Sequence, residues 1–398
     1  MRFRELPVGP SRHLVRFIVS GRRTYALKEE PLGVATTEFS VLRHLQAKGL
    51  PAVYPVGLAA APERDSAILV TEYLEFSIQY RRLLIRFPLG PGPYRDRLLD
   101  AMAWLLVDLH RAGVFWGDCS LANTLFRRDG DKIQAFLVDA ETSEIHPSLS
   151  DGQREYDLDI LVENVAFGLA DVGAMQGREG AEEDAVEAAE TVRSRYAAVW
   201  DELHIEPELS ADDRHAVRQR IRRLNELGFA VDEITLEPTG DGRGAVRLKV
   251  AVANRRCHAR ELERQTGLVA LEGQAQLLLN DLHEYQAWIE HNEHRTIGDQ
   301  EAADRWLTDV LEPSLNQLAP AIGPARDPLQ AYCDVLEQKW ILSELVGKDV
   351  GLSAAMDAYL GLGAPAPESN LASDDAGIAL DIDWSGGWEA EPDEPPAD

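Results

Sequence analysis

Trp116-Gly117-Asp118-Cys119-Ser120-Leu121-Ala122-Asn123, followed after a polar turn by Leu137-Val138-Asp139, is the stretch on which the fold turns. It carries an aspartate, an asparagine five residues later and a second aspartate closing an apolar run. Three oxygen-bearing side chains spread over 22 residues can meet only if a loop and a hairpin fold them together. The flanking sequence predicts both. Upstream, Met102, Leu105, Leu106 and Leu109 recur at helical spacing, so 97–112 reads as a buried helix ending at Ala112-Gly113. Val114-Phe115 leads from it into the Asp118 loop. Downstream, Thr124-Leu125-Phe126 and Ala135-Phe136-Leu137-Val138 read as short strands around the turn Arg128-Asp129-Gly130-Asp131.

Working toward the N-terminus, 13–19 and 24–28 flank Ser20-Gly21-Arg22-Arg23, a hairpin by pattern and turn chemistry, with Lys28 closing its second strand. Lysine is scarce, six against 34 arginines, so a lysine inside an apolar strand stands out. The stripe Phe39, Leu42, Leu45 predicts a helix over 36–48; Thr36-Thr37-Glu38 would supply its polar cap and an acid near its start, and Gly49-Leu50-Pro51 its stop. Residues 53–59 and 67–72 read as two more strands. The order is strands, helix, strands, then a mainly helical body from about 97. That order implies an α+β chain whose first half has two lobes.

This region resembles the lipopolysaccharide-kinase-like branch of the protein-kinase fold and is similar also to the aminoglycoside phosphotransferases. Leu109-His110, Trp116-Gly117-Asp118, Asn123 and Val138-Asp139 carry the resemblance, with Lys28 and Glu38 ahead of them, over about the first 200 residues. It implies a two-lobed protein-kinase-like domain over 1–205, with an N-lobe at about 1–75 and a C-lobe at 76–205, that uses ATP and Mg²⁺. Lys28 would contact the α/β-phosphates, paired by Glu38 from the helix, with Glu29 or Glu30 as alternative partners. Glu72-Tyr73-Leu74 would be the hinge that binds adenine through backbone groups. Asp118 would orient the acceptor hydroxyl, while Asn123 and Asp139 would give Mg²⁺ the oxygen ligands it prefers. Asp157 or Asp159 would brace the catalytic loop. Each of these residues also has a plainer reading: Lys28 as a snorkelling strand end, Glu38 as a solvated helix face, Asp157 and Asp159 as acids favoured by a helix dipole.

Three departures bear on turnover. Trp116 stands where these enzymes usually have histidine, which alters packing beneath the loop. Ala140-Glu141 follows Asp139 instead of Phe-Gly, which removes a flexible switch. Pro7-Val8-Gly9-Pro10-Ser11 offers few amide donors where a glycine-rich phosphate loop belongs, so Arg12 or Arg16 would have to replace it, or ATP is held loosely. A catalytically weak pseudokinase, serving as a nucleotide-binding regulatory or scaffold module, is therefore the alternative to an active phosphotransferase.

Beyond the first domain the chain is similar to a bacterial family with a C-terminal domain of unknown function, through Leu209-Ser210-Ala211-Asp212-Asp213-Arg214-His215-Ala216-Val217 and Lys339-Trp340-Ile341-Leu342-Ser343-Glu344-Leu345-Val346-Gly347. Residues 206–362 read as a smaller, mainly helical α+β domain with a β-hairpin, whose strands 229–236 and 245–253 surround Thr239-Gly240-Asp241-Gly242-Arg243-Gly244. Helices are expected at 258–264, 270–292, 300–317 and 328–346. His283, Glu290, His291 and His294 are either a metal cluster or a polar helix end. Cys119 is either a small packing residue or a reactive thiol. Residues 363–398 read as an acidic disordered tail, in which Ile378, Leu380, Ile382, Trp384 and Trp388 suggest a docking or self-inhibiting peptide.

The net charge of −28 disfavours a nucleic-acid partner, although ten of the acids fall in 364–398. No uncharged apolar run approaches the roughly 18 residues of a membrane span. Met1-Arg2-Phe3-Arg4 leads into no signal core, and three scattered cysteines suit a reducing cytoplasm. The acceptor is open: a small molecule, glycan, lipid or protein hydroxyl. A protein partner would use the C-terminal domain or the tail.

Overall fold

The computed structural model describes residues 2–4, 6, 13–86, 92–210, 213–238, 245–324 and 326–365. The phosphate-loop candidate 7–11 with Arg12, the hairpin tip 239–244 and the tail from 366 with its two tryptophans lie outside the described residues. Met1–Ala364 form one compact unit.

Five antiparallel strands open the chain: β1 (Arg2–Arg4), β2 (Leu14–Ser20), β3 (Arg23–Pro31), β4 (Pro55–Ala61) and β5 (Ser66–Glu72), in the order β1-β2-β3-β5-β4. Gly21, at φ +63°, makes the tight β2–β3 turn that a side chain would strain. The first helix, α1 (Leu32–Ala47), starts four residues before the predicted position. Pro31 ends β3 with a proline-fixed φ of −54°, and the helix begins at once with no side-chain cap. Thr36 is thus no cap; its hydroxyl donates to Leu32 O at 2.7 Å from inside the helix. Glu38 moves with the new register from an exposed first turn to a buried second one, 1 % exposed.

The short strand β6 (Ile78–Gln79) and α2 (Tyr80–Arg86) lead to the helical layer: α3 (Pro93–Arg111), α4 (Asp151–Met175) and α5 (Ala181–His204). Between α3 and α4 run β7 (Val114–Phe115), β8 (Thr124–Asp129), β9 (Lys132–Leu137) and β10 (Glu144–Ile145), with β7 paired to β10 and β6-β8-β9 forming a small sheet. Leu99, Met102, Leu106 and Leu109 of α3 are fully buried with Trp116 and Leu137, which fixes helix, loop and hairpin in one core.

The later elements are β11 (Glu208–Ser210), α6 (Arg214–Glu226), β12 (Phe229–Pro238) and β13 (Ala245–Arg255), then α7 (Cys257–Thr266), α8 (Glu272–Glu293), α9 (Asp299–Trp306), α10 (Glu312–Ile322), α11 (Pro328–Val346) and α12 (Gly351–Gly361). A π-turn, Leu307–Leu311, joins α9 to α10 where a single helix was expected. Pro313 has no amide to continue the regular ladder there. Leu224 of α6 and Phe229 of β12 belong to the first core, whereas Leu262, Leu278, Trp306 and Tyr332 centre a second one.

The β8–β9 turn lies hard against the helices that follow. A Cβ on Gly273 would sit 2.3 Å from Asp129 O, and one on Gly130 would sit 2.9 Å from the Gly273 backbone, so two backbones meet where only glycine fits. Buried Asp129 accepts from the Gln274 amide in the first turn of α8 at 2.8 Å. Gln330 of α11 both accepts from Gly130 N at 2.9 Å and donates to Gly130 O at 2.8 Å. Arg127 and Arg128 pair with Asp327 and Asp334 at 2.7 and 3.0 Å. The hairpin that separates Asn123 from Asp139 is therefore held from outside its own lobe.

Candidate active site

Lys28 lies on β3 opposite Val15 of β2 and Leu69 of β5, in the centre of the first sheet. Its ammonium is 2.6 Å from Glu30 Oε1, 3.0 Å from Glu38 Oε2 and 3.0 Å from Asp139 Oδ2. Glu30 thus contacts the lysine alongside Glu38 and does not replace it. Burial alone would discharge Lys28, but the facing carboxylates of Glu38 and Asp139 outweigh it and raise its pKa. Glu38 shifts up to about 9: burial dominates, Asp139 and Glu30 repel its charge, and Lys28 only partly compensates. Arg16 pairs with Leu27, one residue out of step with Lys28, and so lies on the opposite face of the sheet. It does not stand in for a phosphate loop beside Lys28.

The Asp118 loop is built on Asp157 of α4. Asp157 Oδ2 accepts from Trp116 N at 2.7 Å and from His110 Nε2 at 3.0 Å; Oδ1 accepts from Gly117 N at 2.8 Å and from the Cys119 thiol at 3.0 Å. Burial pushes the Asp157 pKa up, but the hydrogen bonds from His110, Trp116 and Cys119 hold it below the ordinary value. An ionised carboxylate only accepts, so His110 carries its proton on Nε2, leaving Nδ1 to take the Tyr196 hydroxyl at 2.7 Å. Burial lowers the His110 pKa and keeps it neutral. Asp159, two residues on, faces outward to Arg193 at 2.7 Å. Of the two acids considered for this role, the inward-facing one meets the loop.

Gly117 sits at φ +80°, and a Cβ there would lie 2.8 Å from Thr142 O, so the turn into Asp118 requires glycine. Asn123 Nδ2 donates to Asp118 Oδ2 at 2.9 Å and to Asp118 O at 3.2 Å. Val138 N donates to Asn123 O at 3.1 Å, which sets Asn123 beside the residue before Asp139. These three side chains offer only oxygen ligands once the Asn123 amide nitrogen is engaged, a donor set that fits Mg²⁺. Trp116 is wholly buried beneath the loop, and its indole N–H has no hydrogen-bond partner among the described residues. The segment after Asp139 is tethered: Thr142 and Ser143 hydroxyls both donate to Trp116 O, at 3.0 and 3.1 Å.

At the expected hinge, the amides of Glu72 and Tyr73 are taken by Tyr54 O and Thr24 O at 2.8 and 2.9 Å, and the Glu72 carboxylate pairs with Arg23. The Leu74 amide makes no hydrogen bond among the described residues. Cys119 is buried with its thiol pKa raised well above normal, chiefly by burial and then by Asp157, which suits a packing residue. His283, His291 and His294 are exposed, and Glu290 accepts from Ile297 N at 3.0 Å; this is a polar helix end. The metal-competent group among the described residues is instead His13, Glu30 and Glu141, which sequence reading did not assemble.

Residues 21–176 match the lipopolysaccharide kinase (Kdo/WaaP) family model, and 198–362 match the domain of unknown function DUF4032. No curated protein matches the chain. Among solved structures, one described as WaaP in complex with acyl carrier protein is similar at 19 % identity with a TM-score of 0.34, over 56 % of this chain and 88 % of that one. A kinase-like region of α+β fold is thus followed by a DUF4032 region. No helix among the described residues is long and apolar enough to cross a membrane.

Proposed function

We propose that the chain is an ATP- and Mg²⁺-dependent phosphotransferase that acts on a hydroxyl acceptor. The observation that carries this reading is Lys28, 3.0 Å from both Glu38 and Asp139, since phosphoryl transfer needs a placed cation and metal ligands more than covalent chemistry. Lys28 would hold nucleotide phosphates, and the Leu74 amide would receive the base. Asn123 and Asp139 would hold Mg²⁺, which would offset the charge of the phosphates. Asp118, oriented by Asn123, would accept the proton of the attacking hydroxyl. The acceptor would be a small-molecule, glycan, lipid or protein hydroxyl, and the composition suits a cytoplasmic protein.

Two features favour a pseudokinase reading. Lys28 is already matched by three carboxylates, and the Ala140-Glu141 segment is tethered where a mobile switch would be expected. Calorimetric ATP binding and Mg²⁺-dependent hydrolysis decide between the two. Asp118→Ala should retain ATP binding and lose about 100-fold or more in turnover, the range of a general base. Asp139→Ala should lose Mg²⁺-dependent binding. Binding without turnover in the wild type would establish the pseudokinase; absence of ATP binding would sink both readings.

A further inference from the structure

A second set of ligand-type side chains shares Glu30 with the Lys28 cluster, and its other members have no part in the phosphoryl-transfer reading. His13 precedes β2, Glu30 lies near the end of β3, and Glu141 follows Asp139 by two residues. His13 Nε2 is 2.9 Å from Glu141 Oε2 and 3.9 Å from Glu30 Oε1, and one ligand atom of each lies within 4.8 Å of the others. The Glu30 side chain is wholly buried. Lys28 reaches one of its oxygens, but Oε2 has no hydrogen-bond partner among the described residues. A buried carboxylate oxygen without a donor is costly, and a cation removes that cost.

Charge points the same way. Glu30 and Asp139 lie against the Lys28 ammonium and Glu141 against His13, so carboxylates outnumber the one ammonium where polyanionic phosphates would arrive. Ligands about 2.1 Å from a common ion stand roughly 3.0–3.5 Å apart in octahedral or tetrahedral geometry. The 2.9 and 3.9 Å separations bracket that range.

We propose that His13, Glu30 and Glu141 bind a divalent transition-metal ion, Mn²⁺ or Zn²⁺, at a site separate from Asn123 and Asp139. Imidazole nitrogen joined to two carboxylates suits those ions, whereas Mg²⁺ takes oxygen ligands. His13 leads into the first sheet, Glu30 lies in it and Glu141 follows Asp139, so the ion would fasten the sheet to the segment behind Asp139. The inference does not depend on ATP use.

Titration calorimetry of the full chain, stripped with chelator and offered Mn²⁺ or Zn²⁺, tests it directly. The wild type and Asn123→Ala should bind the ion alike. His13→Ala and Glu141→Gln should weaken it by more than the 10–100-fold that loss of an outer-shell partner causes. Visible absorption of the Co²⁺-loaded protein should change in His13→Ala. Unchanged Mn²⁺ and Zn²⁺ binding in both variants, or no uptake by the wild type, overturns the proposal. If His13→Ala fails to fold by circular dichroism, the isosteric Glu141→Gln decides alone. Nucleotide binding by the same proteins reports separately on the phosphotransferase reading.

Discussion

Asp157→Asn probes what holds the Asp118 loop in shape. The wild-type carboxylate takes four donors, two on each oxygen, at 2.7–3.0 Å. Asparagine keeps one acceptor oxygen and turns an NH₂ group toward two of those donors. Each hydrogen bond to a charged acceptor is worth about 1.5–3 kcal/mol in isolation. Four bonds to one group are not additive, so the better guide is the about 3–5 kcal/mol lost when one partner leaves a buried charged network. Urea unfolding at pH 7, followed by tryptophan fluorescence, should show a loss of that size. The pH dependence gives a second check. Because the folded carboxyl has a depressed pKa, the unfolded chain takes up its proton first as the pH falls. The stabilisation is therefore whole above the ordinary carboxylate range and shrinks as pH drops through the folded value, and the gap between wild type and variant should narrow in acid. A variant within about 0.5 kcal/mol of wild type, as for a featureless surface position, would refute the reasoning.

Gly273→Ala forces a Cβ to within 2.3 Å of Asp129 O and should cost about 1–3 kcal/mol as overpacking, with faster amide exchange in the β8–β9 turn. Glu38→Gln replaces an acid whose pKa lies at about 9 when folded and near 4.5 when unfolded. The folded wild type holds the extra proton across that window, so this group's contribution falls as pH rises, and the neutral variant should gain on wild type between pH 5 and 9 in urea midpoints. Parallel curves would count against the assignment. Iodoacetamide should label half-exposed Cys257 in the native protein and spare buried Cys119 and Cys333, as read by peptide mass mapping.

The loop around Asp118 is legible in the sequence because its parts are close together: a helix, a glycine turn and a two-residue hairpin turn suffice to bring Asn123 beside Val138. Lys28 and Glu38 are legible as well, although the helix register is not. Thr36-Thr37 looks like a cap, yet proline at 31 starts α1 earlier and buries Glu38. Asp157 and Asp159 cannot be told apart by type, since helical geometry alone turns one inward to the loop and the other outward to Arg193. His13, Glu30 and Glu141 are invisible as a set, because they come from three segments with no common spacing. Gly130 and Gln330 are equally silent, since a contact across 200 residues leaves no periodicity to read.

The grip on the β8–β9 turn restricts how such a chain can diversify. Asn123 and Asp139 flank a hairpin whose outer end is completed by Gly273, Gln330 and Asp334, well past the kinase-like stretch. Recombination that exchanged one half for a homologue's would carry a lock without its key, uncovering Arg128 and Asp129 and leaving the turn without its glycine seat. The two halves must drift together, and substitutions at Gly130 should be matched by changes at Gly273 and Gln330 in lineages where the pairing has shifted.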